Sequence, residues 1–298
     1  MTRRNVLSAC IVGLVVLWLA SGLWADAIIL NVPDWNQPAN YSSVNGYPNW
    51  CSPTAGACIM GYWEDVKGCT GLTDRQAFPN SPVYPNTANT WMQGLYHDGT
   101  IEMGWWMDTG NWRTNGGPFP PNAGGTNLGK IATGLLGYAN SAYNDPTGIV
   151  KVAYPNTQVT TQNSANMPFG QMWLTYTAEI DAARPVECSF DHWVDSTVQP
   201  TTKTIEGQTV EFYPWDPYSD PHSVVGVGYI DPNPGYDGDG TEYFICQDNW
   251  PTTGRFVAVP VDYVWVQNDY VTNVPEPVTL ALLVMGSATL LFSRKKRN

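Results

Sequence analysis

Apolar residues fall into three kinds of run along this chain. Both ends carry unbroken apolar stretches, Ile11–Ala20 and Val278–Phe292. Between them, apolar positions recur at helical spacing at Ala55, Cys58, Ile59 and Tyr62, and again at Leu128, Ile131, Ala132, Leu135 and Leu136. A side chain returns to the same helix face every 3.6 residues, so these spacings predict helices over Pro53–Glu64 and Leu128–Ala142. A third helix is expected over Gln171–Ala183, ending before R-P-V-E-C-S-F. The third kind of run is short and bounded by turn residues. It predicts strands at Pro185–Phe190, Ser223–Ile230 and Tyr243–Gln247. Helices therefore lie mainly in the N-terminal half and strands in the C-terminal half, which is an α+β signature.

The two end stretches are too short or too flanked by signals to belong to that fold. Arg3 and Arg4, the apolar middle and A-D-A at Ala25–Ala27 form the three parts of an export signal, residues 1–27, with cleavage expected near Ala27. At the other end Pro275-Glu276-Pro277 precedes the apolar run 278–292 and then S-R-K-K-R-N. A run of that length with a basic terminus suits a short membrane helix, basic end inside. The three-part tail, residues 273–298, resembles the PEP-CTERM sorting signal. That resemblance implies recognition by a membrane exosortase, transient anchoring through the C-terminal segment, and a final place at the cell surface or in the extracellular matrix.

Of the 14 basic residues six lie in these two ends, but of the 26 acidic residues only Asp26 and Glu276 do. That leaves 8 basic against 24 acidic residues and a net charge of −16. A surface this acidic repels nucleic acid and anionic lipid, so neither is expected as a partner. The middle, residues 28–272, reads as one domain without repeats, and its 14 tryptophans, 16 tyrosines, 28 glycines and 24 prolines (counted over the chain) suggest a loop-rich fold. Residues 81–163, which include the second expected helix, are expected to be an insertion. Once Cys10 leaves with the signal, Cys51, Cys58, Cys69, Cys188 and Cys246 remain. Five is odd, so in an oxidising compartment at least one thiol stays unpaired, and a Cys58–Cys69 bridge is one way to pair two others.

Cys51 is the candidate for the unpaired thiol. It stands at the head of C-S-P-T-A-G-A-C, where Pro53 suits a first helical turn. A helix N-terminus presents unpaired N–H groups and a positive dipole end, both of which favour thiolate over thiol. A reactive thiol needs a base, and the chain has only three histidines. His97 lies in a turn-like setting, His192 follows a strand, and His222 opens P-H-S-V-V-G-V-G-Y-I, a strand whose glycines permit close backbone approach. A hairpin centred on Gly235 would pair His222 with Asp248, whose carboxylate would fix the imidazole tautomer. Trp250 would cover the pair.

With Cys51 opening a helix, H-S-V-V-G-V-G-Y opening a strand and Asp248-Asn249-Trp250 closing one, the chain resembles the papain-like cysteine peptidases. The aspartate, the W-C-S-P-T start and the R-P-V strand are closest to the bacteriocin-processing branch, although Ser52 stands where that branch usually has glycine. The resemblance covers about residues 31–55 and 175–255. It implies a helix carrying the nucleophile packed on a C-terminal antiparallel sheet, catalysis by Cys51, His222 and Asp248, and a glutamine upstream of the cysteine as oxyanion donor. Gln37 matches that glutamine by residue type, and Asn45 is the rival at the family's usual spacing.

Other chemistry is thin. The turn Asp231–Glu242 offers Asp231, Asp237 and Asp239 as oxygen ligands for calcium, but the spacing is not that of an EF-hand, and acidic glycine-rich turns are commonly plain solvated loops. No phosphate loop, zinc-spaced cluster or dinucleotide fingerprint is present in the sequence, and no cofactor is expected. The expectation is an exported cysteine peptidase acting on a peptide or protein. The alternative is a non-catalytic surface or matrix binding protein on the same scaffold.

Overall fold

The computed structural model describes residues 26–35, 51–73, 103–115, 125–144, 150–194, 197–214, 216, 218–232, 241–249, 255–261 and 265–274. In chain order these form β1 (Ala27–Ile28), α1 (Cys51–Asp65), α2 (Met103–Trp106), α3 (Trp112–Asn115), α4 (Leu128–Asn140), β2 (Tyr143–Asn144), β3 (Val150–Lys151), β4 (Gln158–Asn163), α5 (Phe169–Asp181), β5 (Val186–Phe190), β6 (Thr201–Ile205), β7 (Gln208–Phe212), β8 (His222–Ile230), β9 (Tyr243–Gln247), β10 (Phe256–Pro260) and β11 (Trp265–Asn273). The fold is α+β: a nine-stranded sheet in the order β4-β11-β5-β8-β9-β10-β7-β6, with β1 added beside β8.

The sheet is antiparallel except where β10 runs parallel to β7. The exception comes from chain routing. β5 and β8 are direct partners, so the β6–β7 hairpin between them in sequence is carried to the far edge of the sheet, beyond β10. β8 is the centre of the sheet. It is buried on both faces, which is why its sequence reads as a continuous apolar run instead of an alternation.

Each face of β8 holds a helix. On one face α1 crosses β8 and β5, and α1 is buried from Ser52 to Trp63 around its whole circumference. The single apolar face expected from Ala55, Cys58, Ile59 and Tyr62 is thus only part of its packing. The other side of α1 meets α2 and α4, where an added Cβ on Gly56 would come within 2.8 Å of Met107 and 3.0 Å of Leu135. Met103, Met107, Ile131, Leu135 and Tyr138 are fully buried, so the described parts of 81–163 lie inside the same core, and β4 forms a sheet edge.

On the opposite face α5 seats Trp173 and Tyr176 among Phe244 and Trp265, with Tyr176 and Phe244 ring centres 4.6 Å apart at 75°. The glycines of β8 make this possible. A Cβ at Gly226 would lie 2.7 Å from the Tyr176 ring, and one at Gly228 would lie 2.2 Å from the Ala27 carbonyl of β1. An alanine at Gly226 would overpack a filled site, at a cost of about 1–3 kcal/mol.

The three helices begin and end near their expected bounds. α4 is capped by Asn127, whose Oδ1 accepts from Gly129 N at 2.9 Å. α5 ends where Ala183 turns into a left-handed conformation, φ 52°. No disulfide joins the described cysteines, and the Cys58–Cys69 bridge is not formed. Cys58 faces Trp35 and Asn249, whereas Cys69 Sγ points at the Val274 carbonyl, 3.5 Å away. Among the described residues no helix is long and apolar enough to cross a membrane. Of the expected signal 1–27, residues 1–25 lie outside them while Ala27 opens β1, and the motif Pro275–Pro277 and the run 278–292 also lie outside.

Candidate active site

Cys51 is the first residue of α1, and α1 points that end at the start of β8, where His222 and Ser223 stand. Cys51 and His222 are hydrogen-bond partners. Burial by itself pushes the thiol up. The hydrogen bond and charge of His222 more than reverse this, and the Ser223 backbone N–H and the Ser52 side chain add to the effect, bringing Cys51 from 9.0 down to about 7. Burial likewise works against a charged His222, and the bond to Cys51 and its negative charge win, so the imidazole lies above its usual value. Mutual stabilisation of this kind is what a thiolate–imidazolium pair requires.

The same helix carries a control. Cys58, two turns further along, is fully buried where Cys51 is half-buried, and its partners among the described residues are the Trp35 backbone and the Asn249 side chain. Burial pushes its thiol far up, and Asp34 adds to the shift. Position on α1 relative to β8 separates a thiol brought down to about 7 from one pushed far up.

His222 Nε2 lies 2.9 Å from the backbone carbonyl of Asp248. A carbonyl only accepts, so Nε2 carries the hydrogen and Nδ1 is the nitrogen left for the thiol. The sequence places Asp248 beside His222, and the structure does so by another route. The β8–β9 ladder pairs Ile230 with Tyr243 and Val225 with Gln247, shifting register between Gly226 and Gly228, so the hairpin is not centred on Gly235. Its last pair is Val225–Gln247, and β9 then turns back at Asn249, φ 58°, whose Nδ2 donates to the Ser223 carbonyl at 3.3 Å. That turn brings the Asp248 carbonyl, rather than a cross-strand carboxylate, onto the imidazole. The Asp248 carboxylate is paired with Arg255. Arg255 also approaches Glu211 at 3.7 Å and donates to the Tyr213 hydroxyl at 3.0 Å.

An aromatic ring covers the histidine. Trp193 meets His222 edge to face, with ring centres 4.9 Å apart. The sequence assigned that role to Trp250, which lies outside the described residues, as do Gln37 and Asn45. His192 is turned away, its Nδ1 at the Ser219 carbonyl, 2.9 Å. Of the three acidic residues offered for calcium, Asp231 accepts from Trp173 Nε1 at 3.2 Å, and Asp237 and Asp239 are outside the described residues. Among the described residues no group of three or more potential ligands is gathered.

Sequence reasoning missed Trp193, Ser223, Asn249 and Arg255. Ser223 and Asn249 directly follow residues it singled out, so their signal was adjacency. Trp193 and Arg255 gave none, because contacts over 29 and 7 residues of separation depend on how the strands are laid together.

No protein-family model matches this chain, and no curated protein matches it.

Proposed function

We propose that the chain is an exported cysteine peptidase of papain-like fold, delivered to the cell surface through an exosortase-processed tail. The observation that carries the reading is the Cys51–His222 pair, a helix-start thiol brought to about 7 by a strand-start imidazole whose tautomer is fixed from behind.

In this mechanism the Cys51 sulfur attacks the scissile carbonyl carbon and the carbonyl oxygen takes the negative charge. The Cys51 backbone N–H and the side chain of Gln37 or Asn45 are the donors that the family resemblance assigns to it. His222 gives its Nδ1 proton to the departing amine as the C–N bond breaks, leaving a thioester on Cys51. Water then loses a proton to Nδ1 and attacks the thioester, releasing the acid and returning the proton to the pair. Trp193 keeps bulk water from the imidazole, which strengthens the pair's mutual attraction.

A second reading, a binding protein without turnover, draws on a separate cavity of about 710 Å³ lined by Phe212, Tyr213, Pro214, Tyr243 and Pro260. Its size suits a small ligand, and neither Cys51 nor His222 lines it.

An epoxide-type affinity probe separates the two readings. The peptidase is expected to be alkylated on Cys51, to lose labelling as Cys51→Ala and as His222→Ala, and to cleave a peptide library. Labelling that survives His222→Ala would sink the ion pair. Labelling without cleavage of any peptide would favour the binding protein.

A further inference from the structure

The β8–β9 ladder ends before the active site does. Its last pair is Val225–Gln247, and both His222 and Asp248 lie beyond it. Two hydrogen bonds carry the contact further. His222 Nε2 donates to the Asp248 carbonyl at 2.9 Å, and Asn249 Nδ2 donates back to the Ser223 carbonyl at 3.3 Å. They run in opposite directions between His222-Ser223 and Asp248-Asn249, in place of regular rungs. The second of them comes from a side chain.

Asn249 stands at φ 58°, a left-handed conformation that asparagine tolerates better than most residues. The Asp248 carbonyl and the Asn249 N–H belong to one planar peptide group, and φ of Asn249 is the rotation next to that plane. Fixing the Asn249 side chain therefore helps to fix where the Asp248 carbonyl points. That side chain is completely buried and is held on two sides. Nδ2 reaches β8, while Oδ1 lies 3.9 Å from Cys58 Sγ, whose S–H can donate to it. On the far side of the peptide plane the Asp248 carboxylate is tethered to Arg255.

Cys58 belongs to the helix that opens with Cys51. One element thus carries the nucleophile and, two turns on, the thiol against which the support of the base rests. α1, β8 and the end of β9 meet at the Asn249 amide. A glycine there would take up the same φ without strain, but would leave the Ser223 carbonyl and Cys58 without this partner. We propose that Asn249 is a positioning residue for His222: its amide, set between the Ser223 carbonyl and Cys58, locks the turn that keeps the Asp248 carbonyl on Nε2.

The proposal rests on reading Cys51 and His222 as the reacting pair. It is tested on the purified chain by the pH dependence of Cys51 alkylation with iodoacetamide and by NMR of isotope-labelled histidine, with His222 identified by its loss in His222→Ala. Once Cys51 is alkylated and the imidazole neutral, the ring hydrogen is expected on Nε2 in the unsubstituted protein and spread over both nitrogens in Asn249→Gly. An imidazolium without its aligned carbonyl is a weaker partner for the thiolate. Asn249→Gly is therefore expected to raise the Cys51 midpoint from about 7 by about one unit, slowing alkylation at that pH roughly fivefold. Asn249→Ala, which adds backbone strain to the same loss, is expected to give the same mixture of tautomers at lower stability.

An Asn249→Gly protein with the midpoint and tautomer of the unsubstituted chain would mean that the left-handed backbone alone does the positioning, and overturns the proposal. If the variants fail to fold, the unsubstituted protein decides. Slow solvent exchange of the Asn249 side-chain amide hydrogens and a hydrogen on Nε2 are expected, whereas rapid exchange or a hydrogen on Nδ1 overturns the proposal. A Cys51 midpoint unmoved by His222→Ala would instead overturn the ion pair on which the peptidase reading stands, whatever the Asn249 variants do.

Discussion

The two ends of the Cys51–His222 pair rest on carboxyl groups that the fold treats in opposite ways. Behind His222, Asp248 has a cation: its carboxylate is bound to Arg255, which Glu211 and Tyr213 hold in turn. Behind Cys51, Glu187 and Asp269 face each other across the β5–β11 ladder with hydroxyl and amide donors but, among the described residues, no ion-paired cation, and burial pushes both up. The residue types are the same and so is the degree of enclosure. What differs is whether an opposite charge is within reach among the described residues, and without one burial pushes a carboxyl up. The arrangement suits the chemistry. A charge beside the imidazolium is tolerable, while a charge beside the thiolate would work against it.

Removing the cation should make the first region resemble the second, with the largest effect. Arg255→Met removes the cation paired with the buried Asp248 carboxylate, and is expected to cost about 3 kcal/mol of stability in chemical denaturation. A loss under 1 kcal/mol would mean that the ion pair contributes no more than a surface one.

Next comes His222→Ala, which removes what sets Cys51 apart. With the thiol back near 9 or above, its alkylation rate at pH 7 should fall roughly 50-fold. Rate measurements across pH would show the midpoint moving upward from about 7. An unmoved midpoint would assign the low value to the helix start alone.

Asp248→Asn sharpens the comparison by separating charge from orientation. The imidazole is held by the Asp248 carbonyl, which asparagine retains, so Cys51 reactivity should fall less than about tenfold, although stability declines with the Arg255 pair. A carboxylate that itself orients the base would instead cost about 10⁴-fold.

The smallest effect is a drift of stability with pH. The folded value of Asp269, about 6, lies above its ordinary 3.8, so the group binds a proton more readily when folded. Its contribution to stability is therefore fully present below about 3.8 and is lost as pH rises through about 6. Asp269→Asn should flatten that part of the stability profile, measured by denaturation at several pH values, while leaving the region around Arg255 untouched.

How far the sequence reached can be followed residue by residue. The helix of Cys51 was legible because Pro53 and the spacing of Ala55, Cys58, Ile59 and Tyr62 are local signals. β8 and β9 were legible for the same reason, as apolar runs bounded by turn residues. β6 and β7 were passed over, because Thr201–Ile205 is an exposed edge strand and Gln208–Phe212 is only half-buried, so neither shows much apolar contrast. The hairpin register failed by two to three residues. Asn249 in a left-handed turn and the shift at Gly226–Gly228 leave no mark in a count of positions.

The sequence by itself determined the parts: a thiol at a helix start, a histidine at a strand start, an aspartate at a strand end, and an α+β distribution of elements. Each depends on residues a few positions apart, which spacing and residue type report directly. Only the tertiary structure decided their state. It turned the Asp248 carbonyl instead of its carboxylate onto His222, gave that carboxylate to Arg255, put Trp193 over the imidazole, and set Glu187 against Asp269. The charge of a buried group depends on the groups packed around it, and here those arrive from other strands and loops, brought together only when the sheet is assembled.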